Sequence, residues 1–174
     1  MNRTVHIGLG SNLGDREHNL LDAIDALRRI DEARIAAVSS LYDTAPVGPA
    51  QPRFLNAVVE LDCGLTPQAL LGILKQIERD LGREPGAEWG PRKIDLDILL
   101  WGDLIVAEPT LQVPHLFLHE RRFALEPLAE LAPDVRHPVL EVSVREMLLR
   151  VAAQDVVRHA SPEWRAEPSN TSPP

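Results

Sequence analysis

The chain has 174 residues, a length that suits a single domain and is too short for two ordinary ones. Its hydrophobic share of 44% and charged share of 25% are typical of a globular domain, and no apolar run is long enough to span a bilayer. A formal net charge of −8 argues against broad binding to nucleic acid or anionic membranes, and the single cysteine, Cys63, excludes an intrachain disulfide.

The first predicted elements are a short strand and a helix. Residues 5–9 form an apolar run that the chain enters without an apolar leader, so we expect a cytoplasmic protein. The glycines around this run do not make a dinucleotide-binding motif, because the third glycine of that motif would have to replace Leu13. We interpret Gly8 and Gly10 as a tight turn from strand to helix, with Asp15 as the helix cap.

A stiff loop separates the next two predicted strands. β-branched residues and serines without a helical period predict a strand at residues 34–42. Residues 43–53 contain three prolines and a glycine, so they cannot form regular structure and could make one wall of a pocket. Residues 54–61 then alternate as a strand, with Asn56 on the face opposite Leu55 and the core.

A second helix and a polar loop follow. Thr66 and Pro67 are typical of a helix start, and Gly82 is typical of a helix end. Apolar residues recur at helical spacing between them. Residues 83–88 are polar and have no period, which indicates a loop beside the segment that comes next.

Residues 94–101 predict a strand with two different faces, because side chains alternate along a strand. One face holds Ile94, Leu96, Ile98 and Leu100, and the other holds Asp95, Asp97, Leu99 and Trp101. The two carboxylates would lie about 7 Å apart, and like charges held there favour a divalent cation such as Mg²⁺. Arg92 could supply a fork for phosphate oxygens. The alternative is an exposed strand whose aspartates only keep its outer face hydrated.

The C-terminal third predicts shorter elements. A turn after residue 102 permits a strand at residues 104–106, and residues 109–114 are irregular. Helical patterns follow at residues 116–131, where Pro127 would bend or break the helix, and at residues 142–151.

The order of elements indicates the fold. A βαββαβ order with additional C-terminal helices is that of an α+β, ferredoxin-like fold, an antiparallel sheet with helices on one face. We expect this domain to span residues 1–160, and residues 161–174, rich in Ser, Pro, Glu and Asn, to be a disordered or loosely attached tail. In such a fold Asn56, Asp95 and Asp97 would share the open face of the sheet, where loops can build a site.

Five separated motifs occur in an order that chance does not produce. They are Gly10-Ser11-Asn12-Leu13; Ser39-Ser40-Leu41-Tyr42 with Thr44 and Pro46; Phe54-Leu55-Asn56-Ala57; Trp89-Gly90-Pro91-Arg92 with Asp95-Leu96-Asp97; and Val113-Pro114-His115 with Arg121 and Phe123. With these motifs the chain resembles the 6-hydroxymethyl-7,8-dihydropterin pyrophosphokinase family of folate biosynthesis, over about its first four-fifths.

The resemblance implies transfer of pyrophosphate from ATP to the hydroxymethyl group of a reduced pterin, with release of AMP. Asp95 and Asp97 match the pair that holds two Mg²⁺ ions, and together with Arg92 and Arg121 they match the catalytic positions. The ATP-binding positions are Glu78, Arg83, Trp89, Arg92, Ile98, His115 and Arg121. The pterin-binding positions are Thr44, Pro46, Val47, Phe54, Asn56, Trp89, Asp95 and Phe123. We expect a monomer whose partners are these two small molecules, and neither nucleic acid nor a membrane.

The chain also departs from the family pattern. Glu88 precedes the tryptophan where a basic residue is common, and Glu84 stands in the loop where an arginine is expected. Lys75, Thr110 and Gln112 occupy positions where other side chains commonly contact ATP. These differences bear on the contribution of the loop and on ATP affinity, and they leave the aspartate pair intact.

Other functions fit part of the same pattern. A nucleotidyltransferase could use the same aspartates with two metal ions, and an RNA-binding module could share the fold, although it would need a basic, aromatic sheet face. Taken singly, Phe54 and Phe123 are typical core aromatics, and Asn56 is typical of a strand surface. His115 and His119 lack the glutamate of a zinc motif, so we set zinc aside.

Overall fold

A computed structural model of the chain describes residues 3–86 and 90–165. The predictions for Trp89 and Glu88, and for the end of the tail, lie outside these residues. Within the described ranges, no helix is long and apolar enough to cross a membrane. The strands are β1 (Arg3–Ser11), β2 (Ala33–Val38), β3 (Leu41–Thr44), β4 (Phe54–Cys63), β5 (Asp95–Trp101), β6 (Val106–Glu108), β7 (Leu111–Val113) and β8 (Val156–Ala160). The helices are α1 (Arg16–Leu27), α2 (Pro67–Asp80), α3 (Arg122–Leu131) and α4 (Val144–Arg150), with short 3₁₀ helices at Leu118–Glu120 and Pro162–Arg165.

The main sheet is antiparallel and has the order β5-β1-β4-β3-β8, with β2 also paired to β4. The strand predicted at residues 34–42 is in fact two strands, because the ladder breaks at Ser39 and Ser40. There the Ser39 hydroxyl accepts a hydrogen bond from the Val58 amide at 2.9 Å and replaces a backbone partner. As a result β2 pairs with the second half of β4, and β3 pairs with the first half.

The main core lies between the sheet and helices α1 and α2. The predicted helix caps are confirmed: Asp15 accepts a hydrogen bond from the His18 amide at 3.0 Å, and Thr66 accepts one from the Ala69 amide at 3.3 Å. Fully buried members of this core come from both layers and include Val5, Ile7, Leu9, Leu20, Leu27, Leu61, Leu70 and Leu74.

A second apolar cluster covers part of the opposite face of the sheet. Leu125 of α3 and Met147 of α4 pack there with Val58 of β4 and Leu99 of β5, and all four are buried. The prediction of an open face is therefore wrong for this half of the sheet. The C-terminal helices fill it, and only the other half is left for a site.

A register shift in β5 overturns the predicted faces of two residues. Ile7 pairs with Ile98 and His6 pairs with Leu100, so one residue of β5 has no partner on β1. This β-bulge interrupts the two-residue alternation. Trp101 consequently lies in the main core, 2% exposed, while Leu100 joins the second cluster, which is the reverse of the sequence prediction.

The two glycines of β1 also have a different role from the one predicted. Gly8 and Gly10 lie inside the strand and not in a turn. A Cβ on Gly10 would come within 2.7 Å of the Asn56 side-chain oxygen, and one on Gly8 would meet Leu99 at 3.3 Å. Glycine is needed because side chains from both neighbouring strands cross over β1 at these points.

The C-terminal region differs from the prediction in several bounds. The helical pattern at residues 116–131 splits into a 3₁₀ turn and α3, and Pro127 lies inside α3 without ending it. Strand β8 was not predicted, and it pairs with β3. The Trp164 indole donates a hydrogen bond to the Ser39 carbonyl at 3.0 Å, so the first part of the predicted tail contacts the sheet. A domain boundary at residue 160 stays a prediction.

Candidate active site

A cleft of about 490 Å³ lies on the half of the sheet that α3 and α4 leave uncovered. This volume is typical of a small-molecule site. Most of the predicted site residues line it: Thr44, Val47, Phe54, Asn56, Arg92, Asp95, Asp97, Ile98, His115, Arg121 and Phe123. Among the described residues, Pro46, Glu78 and Arg83 are not part of the lining, and Trp89 lies outside the described ranges. The sheet thus brings together residues from widely separated parts of the chain.

Asp95 and Asp97 project from β5 beside the two glycines of β1. Asp95 pairs with Gly10, and Asp97 pairs with Gly8, so no β1 side chain covers the carboxylates. Asp95 accepts two charge-assisted hydrogen bonds, from Arg83 at 2.8 Å and from Arg92 at 2.9 Å. Each carboxylate oxygen of Asp95 therefore already faces a guanidinium.

Asp97 has a different environment, although it lies only two residues away. Its carboxylate makes no hydrogen bond or ion pair with any residue in the described ranges. Loss of water around the half-buried side chain, together with the nearby charge of Asp95, raises the pKa of Asp97 to about 6. An unpaired carboxylate with a raised pKa is a group that a cation would stabilise.

Glu78 forms the buried support of this carboxylate pair. It is 2% exposed, and its carboxylate accepts hydrogen bonds from the Leu96 amide at 2.7 Å and from Lys75 at 3.1 Å. Arg83 lies 2.6 Å from the other oxygen of Glu78 and bridges it to Asp95. Glu78 thus ties α2 to β5 and fixes Arg83, and its carboxylate already has partners within the protein.

Asn12 stands in one of the sequence motifs but was not among the predicted site residues. It is 3% exposed, and its side-chain oxygen accepts a hydrogen bond from the Arg92 amide at 2.7 Å. Its amide nitrogen donates to the Gln51 side chain and to the Pro52 carbonyl, each at 3.0 Å. Asn12 therefore joins the loop after β1, the proline-rich loop and the backbone of Arg92. The signal in the sequence was a polar residue after a predicted strand, and only the structure shows that it is buried.

The other end of the cleft is shaped by a strand pair and an aromatic wall. Asn56 is 7% exposed and donates a hydrogen bond to the Thr44 hydroxyl at 2.7 Å. Phe54 and Phe123 line the same cleft and offer flat apolar surfaces. This end can hold a flat heterocycle with a polar edge.

Arg121 is held between two aromatic rings. Its guanidinium carbon lies 5.4 Å from the centre of the Phe117 ring and 5.6 Å from that of Phe123. Both distances are within the range of a cation–π interaction. Phe117 was not predicted as a site residue, although it lies only four residues before Arg121, at the other end of the 3₁₀ turn Leu118–Glu120.

His115 is neutral at physiological pH. Burial and the nearby charge of Arg121 lower the pKa of His115 to about 4. Its Nδ1 accepts a hydrogen bond from the Phe117 amide at 3.2 Å, so the proton of the neutral ring is on Nε2. The ring therefore presents one N–H donor and no charge.

The carboxylates of Asp95 and Asp97 suit a metal ion that takes most of its ligands from water and substrate. In residues 3–86 and 90–165, no group of three or more His, Cys, Asp or Glu could hold a metal ion. Two carboxylates with open space beside them suit Mg²⁺, which binds through one or two carboxylates and completes its shell with water and substrate phosphates. The site does not suit zinc, which needs three or four protein ligands.

Comparison with known proteins gives matches to one enzyme family. A family model described as 7,8-dihydro-6-hydroxymethylpterin-pyrophosphokinase (HPPK) matches residues 6–133. The 2-amino-4-hydroxy-6-hydroxymethyldihydropteridine pyrophosphokinase of Pseudomonas aeruginosa is 48% identical over 139 residues, which are 79% of this chain and 86% of that protein. The enzyme of the same name from Aquifex aeolicus is 42% identical over 144 residues, or 82% of this chain and 89% of the relative.

A solved structure supports the likeness at the level of the fold. The HPPK-DHPS protein of Plasmodium falciparum superposes with a TM-score of 0.70 over 86% of this chain. The identity is 17%, and this chain covers 44% of that longer chain. Such a low identity shows a shared fold and carries no argument about the rest of that protein.

Proposed function

Because the chain belongs to the 7,8-dihydro-6-hydroxymethylpterin-pyrophosphokinase family, it transfers pyrophosphate from ATP to hydroxymethyldihydropterin in folate synthesis, and we propose that it does so in the cleft described above. One observation carries this placement: the unpaired carboxylate of Asp97 lies beside Asp95 in a cleft that Arg92 and Arg121 also line. That combination provides negative charge for cations and positive charge for phosphate in one cavity.

The aspartates would hold Mg²⁺, and we propose two ions, as the family resemblance implies. When bound, the ions would supply positive charge that neutralises the triphosphate and polarises its oxygens. Asp97 is ready for this role, since no described residue pairs with it. Each oxygen of Asp95 keeps a lone pair beside its arginine contact, so Asp95 could bind a cation while Arg83 and Arg92 stay close to it.

The arginines would align and neutralise the phosphates. Phosphoryl transfer depends on alignment and electrostatic stabilisation more than on covalent help from the protein. Cation–π contacts with Phe117 and Phe123 would help to orient Arg121, and Asn12 fixes the backbone of Arg92. His115 would donate one hydrogen bond from Nε2 to an ATP oxygen without adding charge. Ile98 would offer apolar contact to the nucleotide.

The pterin would occupy the aromatic end of the cleft. Phe54 and Phe123 would stack on its two faces, and Asn56 would hydrogen-bond its amide edge. The backbone near Thr44, Pro46 and Val47 would complete the wall. Proteins usually bind a heterocycle between apolar surfaces and orient it with a few well-placed polar groups.

The proposed fold is ferredoxin-like. The strand order supports it, because β1 lies between β4 and β5 while β4 lies between β1 and the strands that follow α1. The cytoplasmic location, the monomeric state and the roles of Arg83, Glu78 and Trp89 in binding ATP remain predictions.

Product analysis tests the function directly. We would incubate the protein with ATP, Mg²⁺ and 6-hydroxymethyl-7,8-dihydropterin and separate the nucleotides by chromatography. The expected products are AMP and the pterin diphosphate, with no AMP when the pterin is left out and none when EDTA removes the metal. Release of pyrophosphate would favour a nucleotidyltransferase, and release of ADP would indicate a simple kinase; either result would overturn the proposal.

A further inference from the structure

Gln154 lies in the turn between α4 and β8, beyond residue 133, where the match to the family model ends. Its side-chain amide makes two hydrogen bonds to the backbone of a distant segment. The amide nitrogen donates to the Glu120 carbonyl at 2.7 Å, and the amide oxygen accepts from the Arg122 N–H at 2.8 Å. These two groups flank Arg121 on either side, so one side chain spans the backbone of the arginine that lines the cleft.

This contact replaces a missing helix cap. Arg121 is the residue that precedes α3, and its own side chain makes no capping hydrogen bond. The first N–H groups of a helix have no partner inside the helix and must find one outside. Gln154 supplies that partner to Arg122, the first residue of α3, from a position far along the chain.

The turn that carries Gln154 is itself held in place. Arg122 donates hydrogen bonds from one guanidinium nitrogen to the Ala152 carbonyl at 2.8 Å and to the Gln154 carbonyl at 2.6 Å. The next residue, Asp155, accepts a hydrogen bond from the Ala45 amide at 3.1 Å. The turn that carries Gln154 is therefore bound to α3 on one side and to the sheet on the other.

We propose that Gln154 is a positioning residue for Arg121. It touches neither substrate, and it acts by fixing the backbone from which the guanidinium reaches between Phe117 and Phe123. The inference rests on the catalytic role proposed for Arg121. A charged group that stabilises a transferring phosphate must be placed closely, and misplacement by about 1 Å can cost up to about a hundredfold in rate.

The test uses Gln154→Ala, Arg121→Ala and the double variant in the full chain. We expect Gln154→Ala to lower kcat about tenfold while KM for the pterin changes less than about twofold. If Gln154 acts through Arg121, the double variant should have the same single-turnover rate as Arg121→Ala alone. Gln76→Ala is the matched control, since the side-chain amide of exposed Gln76 also makes two hydrogen bonds, donating to Asp80 and accepting from Arg79, each at 2.7 Å and away from the cleft.

A second variant separates positioning from folding. Gln154→Glu keeps the acceptor that caps α3, but it turns an oxygen toward the Glu120 carbonyl. We expect its urea midpoint to lie between those of Gln154→Ala and the wild type, because the cap of α3 is kept, while kcat still falls severalfold.

The following kinetic results would overturn the role proposed for Gln154 or for Arg121. Wild-type kcat in both Gln154 variants, or an equal fall in kcat with and without Arg121, would overturn the positioning role. Wild-type kcat in Arg121→Ala would instead overturn the role proposed for Arg121 itself.

Discussion

Replacing Asp97 by asparagine should make the metal-free protein more stable and, at the same time, inactive. The pKa of Asp97 is raised to about 6 from an ordinary value of 3.8, because the carboxylate loses water and lies near Asp95. A raised carboxyl pKa means that ionisation opposes folding. The cost is absent below about pH 4, where both folded and unfolded states are protonated, and complete above about pH 6. At about 1.4 kcal/mol per pH unit this cost is at most about 3 kcal/mol, and we expect asparagine to recover about 1–3 kcal/mol at pH 7.

Urea unfolding of wild type and variant in EDTA measures this difference. The gain in free energy of unfolding that Asp97→Asn gives over the wild type should depend on pH. It should be near zero at about pH 4 and reach its full size by about pH 7. Exposed Asp103→Asn is the control and should gain nothing. Added Mg²⁺ should stabilise the wild type and not the variant, whose turnover should fall by more than about a hundredfold. A variant less stable than wild type at pH 7, or an advantage that does not change with pH, would refute the reasoning.

Two further substitutions test the surroundings of the arginines. Phe117→Leu removes one of the two cation–π contacts that Arg121 makes within residues 3–86 and 90–165, each about 0.5–1 kcal/mol at an exposed site, so kcat/KM should fall about two- to fivefold and recover in Phe117→Trp. An unchanged kcat/KM in the leucine variant would mean that Phe117 does not hold Arg121. Asn12→Ala leaves the Arg92 amide without its side-chain partner, and we expect urea unfolding to show a loss of about 1–3 kcal/mol together with a lower kcat. Exposed Gln68→Ala, which breaks one surface hydrogen bond, is its control, and equal losses in the two variants would contradict the linking role of Asn12.

The local features of this protein could be predicted from its sequence. Helix starts follow from residues next to each other, so the caps at Asp15 and Thr66 are found where the sequence places them. Asp95 and Asp97 point to the same side because the strand repeat is two residues, and both line the cleft. Motifs this local also carried the family resemblance, which the comparisons confirm.

Features that depend on strand pairing could not be predicted in this way. The alternation that places Asp97 correctly fails three residues later, since the bulge in β5 arises from its register with β1 and sends Trp101 into the core. Gly10 is a glycine because Asn56 from the neighbouring strand crosses over it at a distance that no Cβ allows. Neither cause is visible along a single strand.

The contacts that hold the site together join residues far apart in the chain. The sequence by itself determined which groups are candidates for the chemistry, because aspartates on a strand and arginines near them are local patterns. Only the tertiary structure decided that Asn12 fixes the backbone of Arg92 and that Gln154 braces the backbone of Arg121. Folding brings these partners together through the packing of separate elements, and a local pattern holds no information about which distant side chain will fill a given space.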